Sequence, residues 1–156
     1  MDKMRSKNQT AGQLACFEYG DAPYDIHLEI RQVGADLLAA VTGGSRPHIG
    51  AVCLAEPAGA KHPVTGEATG GTKGDCSSVP ASAGTDEQSP FVSVLSGQGH
   101  KDAVLAEMFA SALCKKHGVN VCCTAGVHVD GATPDEIALM TENAKALLME
   151  ALDAYV

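Results

Sequence analysis

The 156-residue sequence has no tryptophan, and only three tyrosines and three phenylalanines. Ala, Val, Leu and Ile must therefore carry most of any core. No apolar run approaches the ~18–20 residues that a transmembrane helix needs, so no membrane span is expected. Residues 1–13 carry Lys3, Arg5 and Lys7 without an apolar stretch, so they do not read as a secretory leader. The default expectation is a cytoplasmic protein. A basic excess is also missing. Eleven Lys and Arg stand against nineteen Asp and Glu, for a formal net charge of −8. That balance argues against nonspecific binding to nucleic acid or anionic membrane, yet it permits a local basic pocket. The six cysteines, Cys16, Cys53, Cys76, Cys114, Cys122 and Cys123, include no C-x-x-C pair with zinc-site spacing. They are expected to be small buried hydrophobes kept reduced. Paired carboxylates, a G-x-S-x-G elbow, a Walker loop and a strand-bound G-x-G-x-x-G are all absent.

What is present fits one folded domain. A hydrophobic content of 45% is too high for a disordered chain. Residues 1–13 read as a flexible N-terminal tail, and residues 14–156 as a single domain. Residues 15–20 form a short strand. Residues 24–31 alternate, with Tyr24, Ile26, Leu28 and Ile30 on one side and Asp25, His27, Glu29 and Arg31 on the other. That is the period-2 signature of a strand with one wet face, where His27 is a solvated surface residue. Strands follow at 37–41, 51–55 and 91–95, and nearness in the chain favours antiparallel pairing. Residues 57–90 are rich in Gly, Pro, Ser, Thr and Ala, and predict a long flexible loop or insertion. His62 and Cys76 fall inside it and receive no role.

A helix is predicted to end at about His117, with Val104, Leu105, Met108, Ala112 and Leu113 as its core stripe. Lys115, Lys116 and His117 suit the dipole of its last turn, and Gly118 ends it. A largely apolar strand over 119–129 puts Cys122 and Cys123 on opposite faces. Thr133-Pro134-Asp135-Glu136 then opens a final helix with a capping box. Its stripe is Ile137, Met140, Ala144, Leu147, Ala151 and Tyr155. Several strands, a helix, a strand and a helix make an α+β domain: a mostly antiparallel sheet with two main helices on one face.

Chemistry concentrates at three places. In residues 41–52, Thr42-Gly43-Gly44-Ser45-Arg46-Pro47-His48-Ile49-Gly50 lies between strands. The glycines let backbone approach a ligand, and Pro47 stiffens the loop where it carries charge. A hairpin connection shaped by Gly and Pro explains the same residues. Gly99-His100-Lys101-Asp102 stands at the predicted start of a helix, where free N–H groups and a Lys ammonium suit a phosphate. Ala125-Gly126-Val127-His128-Val129 ends the late strand, and Gly126 would let a planar group lie close. His48, His100 and His128, with Arg46 and Lys101, suggest one cationic pocket for an anionic planar ligand. Three imidazoles also suit zinc, iron or nickel, although no helical pair or H-x-H spacing supports a metal.

These three motifs, Thr42-Gly43-Gly44 with Pro47-His48-Ile49-Gly50, Gly99-His100-Lys101-Asp102, and Ala125-Gly126-Val127-His128-Val129, resemble the LpdD-like prenylated-flavin chaperones, small proteins associated with gallate decarboxylase. The similarity covers residues 24–55 and 91–150. The 57–90 segment departs from shorter relatives. The resemblance implies a non-catalytic protein that binds reduced prenylated FMN and delivers it to UbiD-like (de)carboxylases. It also implies a homodimer, with a fold similar to the small proteasome-assembly chaperones. The cargo site would then use Thr42, Gly43, Gly44, Arg46, His48, Gly50, His100, Lys101, Gly126 and His128. In this assignment His100, Lys101 and the Gly43-Gly44 backbone hold the phosphate or the reduced ring's charge. His48 and His128 donate to the flavin's polar edge. The alternative is a metal-binding enzyme or decarboxylase component using the three histidines.

Overall fold

Alternation at 24–31 builds the third strand, Ile26–Val33. Its Ile26, Leu28 and Ile30 are fully buried, while Glu29 and Arg31 are exposed on the other face. The computed structural model describes residues 7–9, 14–59, 89–97 and 101–155. Within it, β3 (Ile26–Val33) pairs antiparallel with β2 (Leu14–Tyr19) and with β4 (Asp36–Gly44). Gly34, at φ +63°, makes the tight turn from β3 to β4. A short edge strand, β1 (Lys7–Gln9), pairs with β2. These three are the described residues of the 1–13 stretch. Residues 1–6, 10–13 and 60–88 lie outside the described residues, and so do His62, Cys76 and most of the expected 57–90 loop.

Order in the sheet departs from order in the chain. Among the described residues the seven strands run β1-β2-β3-β4-β7-β5-β6. The last strand, β7 (Val121–His128), inserts beside β4 and runs parallel to it. Beyond β7 lie β5 (Ala51–Glu56) and β6 (Phe91–Ser96), both antiparallel to their neighbours. The 45–50 stretch is therefore not a hairpin between paired strands. It carries the chain across the end of β7.

Register places Phe17, Leu28, Val41, Ala125 and Ala51 in one row across five strands, and all five are buried. Two helices cover that face. The first, α1 (Ala103–His117), packs on β5 and β7, and the second, α2 (Pro134–Ala154), packs on β2 and β3. The fold is the α+β arrangement read from the sequence. Burying each large aliphatic side chain of this layer contributes roughly 1.5–3 kcal/mol. Neither helix is long and apolar enough to cross a membrane.

The buried face of α1 is rotated from its predicted stripe. Ala106, Phe109, Ala110, Leu113 and Cys114 face the core, whereas Val104 is 71% exposed. Small residues decide this. Ala106 and Ala110 let the helix approach a sheet surface that is itself made of Ala51, Cys53, Ala55 and Ala125. Selecting the largest apolar residues therefore mislocates the contact. In α2 the stripe matches at Met140, Ala144, Leu147 and Ala151, while Ile137 is exposed. His117 also differs from its expected role. Burial, then Lys116, hold its ring below the ordinary histidine value. The ring stacks edge-on against Tyr155, with centroids 5.3 Å apart. It packs as a neutral ring and leaves the last-turn charge to the lysines.

Thr133 caps α2 as predicted: its hydroxyl accepts from the Glu136 N–H, and Glu136 accepts from the Thr133 N–H at 2.7 Å. The Tyr24 hydroxyl also donates to Glu136, tying the β2–β3 connection to α2. This bond first, and the Thr133 bonds after it, hold the Glu136 carboxyl below the usual range. A depressed folded value means stability that is present above the ordinary carboxylate range and lost as pH falls through the folded value. Thr133→Ala should cost about 1 kcal/mol in urea denaturation. Glu136→Gln should flatten the acid limb of the stability–pH profile. A variant retaining the wild-type acid limb would remove Glu136 from that role.

Candidate functional site

The crossing of the 45–50 connection over β7 creates the site. Arg46 N–H donates to the His128 carbonyl at 3.2 Å, His48 N–H to Gly126 at 3.5 Å, and Gly50 N–H to Ala125 at 2.9 Å. Two backbones meet so closely that side chains are excluded. A Cβ on Gly126 would stand 1.9 Å from the His48 carbonyl oxygen. A Cβ on Gly44, where φ is +74°, would stand 2.3 Å from the His128 oxygen. One on Gly43 would stand 2.4 Å from the Asp25 oxygen. These glycines accommodate the chain's own backbone.

The backbone donors of the loop are engaged as well. Gly44 N–H donates to the Asp25 carbonyl at 3.2 Å. With the N–H groups of Arg46, His48 and Gly50 also engaged, the loop offers no backbone cradle for an anion at these positions. Thr42 is also set apart. It alternates with the buried Val41 and Gly43, so its side chain stands on the sheet face opposite the helices.

The side chains do converge. His48 and His128 come within 6.1 Å, ring centre to ring centre, at 82°. His48 Nδ1 contacts the Arg46 carbonyl at 3.2 Å, and Nε2 lies 3.5 Å from Asp102 Oδ2. Asp102 is 7% exposed and is the one charged residue in the described core. It stands at the N-terminus of α1, but its side chain makes no cap bond there. Instead Oδ1 accepts from the Val127 N–H at 3.0 Å. Asp102 thus ties α1, the end of β7 and His48 together. His128 Nε2 lies 3.0 Å from Asp130 Oδ1, and the Arg46 guanidinium contacts the same oxygen. Hydrogen bonding from His128, and then from Arg46, holds the Asp130 carboxyl below the usual range.

Beside this cluster opens a cavity of about 570 Å³ between the start of α1, the end of β7 and α2. Val104, Leu105, Val127, Ile137 and Met140 form apolar wall, while Lys101 and His128 stand at polar positions. The structure therefore gathers Arg46, His48, Lys101 and His128 at one end of the sheet. His100 lies outside the described residues.

Two participants escape the sequence reading: Asp102 and Asp130. A signal for Asp130 exists, because an acid two residues after a strand-end histidine stands on the same side. Asp25 and His27 share that spacing and bond at 2.6 Å. Asp102 closes the Gly99-His100-Lys101-Asp102 motif, yet its buried partner comes from β7, 25 residues onward. For a metal, the only described group with three donors within 4.8 Å is Glu18, Asp25 and His27, none of them a predicted ligand. The three buried cysteines are chemically quiet. Burial pushes Cys53 and Cys114 up to about 11 and raises Cys123 further.

The prenylated flavin chaperone LpdD-like domain family matches residues 20–74 and 67–155 of the chain. Protein LpdD of Lactiplantibacillus plantarum is 29% identical over 145 residues, spanning 91% of this chain and 88% of its own length. Among solved structures, a chain from a chaperone complex for yeast 20S proteasome assembly has a TM-score of 0.44 at 10% identity, over 98% of this chain and 94% of that one.

Gly126→Ala should destabilise the fold by about 2–3 kcal/mol in denaturant titration, because the 45–50 connection must lift away from β7. Asp102→Ala should cost roughly 1–3 kcal/mol by leaving the Val127 N–H without its acceptor. Asp102→Asn keeps an acceptor and should retain most of that stability. Equal loss in both Asp102 variants would contradict the Val127 bond as the source.

Proposed function

The chain belongs to the LpdD-like family of prenylated flavin chaperones, and on that premise we propose that it binds reduced prenylated FMN and delivers it to a UbiD-like (de)carboxylase. The observation that carries the reading is the cavity beside the converged Arg46, His48, Lys101 and His128. Its size of about 570 Å³ falls within the roughly 300–1,000 Å³ of small-molecule sites. Aliphatic walls suit the ring system and its prenyl-derived carbons. Cationic and imidazole donors at one end suit the phosphate and the charge that a reduced flavin carries near N1.

The two kinds of surface have separate tasks. The whole chain is acidic, with a net charge of −8, so attraction for an anionic cargo must be local. Lys101 lies at the start of α1, where helix N–H groups add a positive end. We place the phosphate there, and assign His100 to it from its place next to Lys101 in the sequence. His48, backed by Asp102, faces the cargo's polar edge, and His128, backed by Asp130, stands between that edge and the phosphate. Gly126, Gly44 and Gly50 contribute indirectly, by holding the histidine-bearing connection against β7. In this reading the protein is an accessory carrier and no catalyst, acting as a cytoplasmic homodimer.

Anaerobic titration of the purified chain with reduced prenylated FMN tests the proposal, with FMN and oxidised prenylated FMN as controls. Wild type should select the reduced prenylated form. Lys101→Ala should weaken binding about tenfold, or about 1.4 kcal/mol. Unchanged affinity in that variant would move the phosphate elsewhere. No binding by wild type would overturn the carrier reading.

A further inference from the structure

One oxygen of Asp130 is shared by two cationic or imidazole partners. Arg46 Nη2 and His128 Nε2 reach it from separate segments, the 45–50 connection and the end of β7, yet both contact the same Oδ1. The two donors are themselves 3.3 Å apart. A guanidinium and an imidazole meeting on one oxygen make a charge-assisted oxyanion site. His128 is also part of the cavity lining, as are Val129 and Gly131 on either side of Asp130.

We propose that Arg46 and His128 form a phosphate-binding subsite, that Asp130 fills it in the free chain, and that the cargo's phosphate exchanges with Asp130 on loading. The inference rests on the reading of the cavity as a site for a phosphorylated flavin. Lys101 and the Arg46–His128 pair would then hold the phosphate from two sides. On release, Asp130 returns and neutralises the pair.

Three observations support exchange over a fixed structural bridge. First, Arg46 and Asp130 are 64% and 65% exposed, and ion pairs so exposed contribute little to stability. Second, the two sides differ in freedom. Arg46 is anchored by its own N–H to the His128 carbonyl and is followed by Pro47. Asp130 sits on a turn closed by Ala132 N–H to the Val129 carbonyl, next to Gly131 at φ +65° with open space around it. In the proposed exchange the carboxylate swings out and the guanidinium stays. Third, both donors share one acceptor oxygen, which a phosphate oxygen can replace without moving either of them.

A double-mutant cycle on the full chain tests the exchange. Wild type, Asp130→Asn, Arg46→Ala and the double variant are titrated anaerobically with reduced prenylated FMN, and separately with inorganic phosphate followed by the NMR shifts of the His128 ring. Asp130→Asn should bind both ligands about tenfold more tightly and release the flavin more slowly. Most of the gain should vanish in the Arg46→Ala background. Affinity for both ligands that is unchanged or weaker in Asp130→Asn would overturn the proposal. So would an equal gain with reduced riboflavin, which has no phosphate. A phosphate gain without flavin binding in any chain would uphold the subsite while removing the prenylated-flavin reading.

Discussion

Backbone lying directly on backbone is the constraint from which the site follows. The 45–50 connection crosses the end of β7 with no room for a Cβ at Gly126. Three N–H bonds hold it there, from Arg46, His48 and Gly50. Without that contact, His48 would not reach Asp102, and Arg46 would not reach Asp130. The glycines that suggest a ligand cradle in the sequence thus act one step earlier. They let protein backbone take up a position from which side chains face the ligand space.

The sheet makes this crossing necessary. Because β7 inserts between β4 and β5, the link from β4 to β5 must pass over its end. The same insertion brings the C-terminal ends of β4 and β7, parallel neighbours, to one edge. The start of α1 and the β7–α2 turn arrive at that edge as well. Beneath them, small residues on β5, β7 and α1 allow close helix–sheet packing. A single topological feature therefore supplies both the crowding and the convergence.

Charge is arranged by the same geometry. In an acidic chain, each described imidazole at the site, and Arg46 with them, has a carboxylate beside it: Asp102 for His48, and Asp130 for Arg46 and His128. The two carboxylates stand in different surroundings. Asp102 is buried and bonded to backbone, so it positions. Asp130 is exposed on a turn with a glycine beside it and meets both Arg46 and His128.

Much was legible in the sequence because it depends on local periodicity and local chemistry. Alternation at 24–31 settled which face of β3 is buried, the Thr133–Glu136 box marked the start of α2, and Gly118 marked the end of α1. The three ordered motifs pointed to the family, and the described parts of them meet in space. What remained hidden depends on contacts distant in the chain. No local pattern states that β7 inserts between β4 and β5, that Ala106 and Ala110 turn α1 by part of a turn, or that Gly126 faces the His48 carbonyl. Nor does spacing reveal that Asp102 serves β7 and that Asp130 collects Arg46 from 84 positions away. Sequence by itself determined the elements, their wet and dry faces and the residue types available for an anion. Tertiary structure alone decided which of those residues share a site, because strand order and backbone approach are set by packing across the whole sheet.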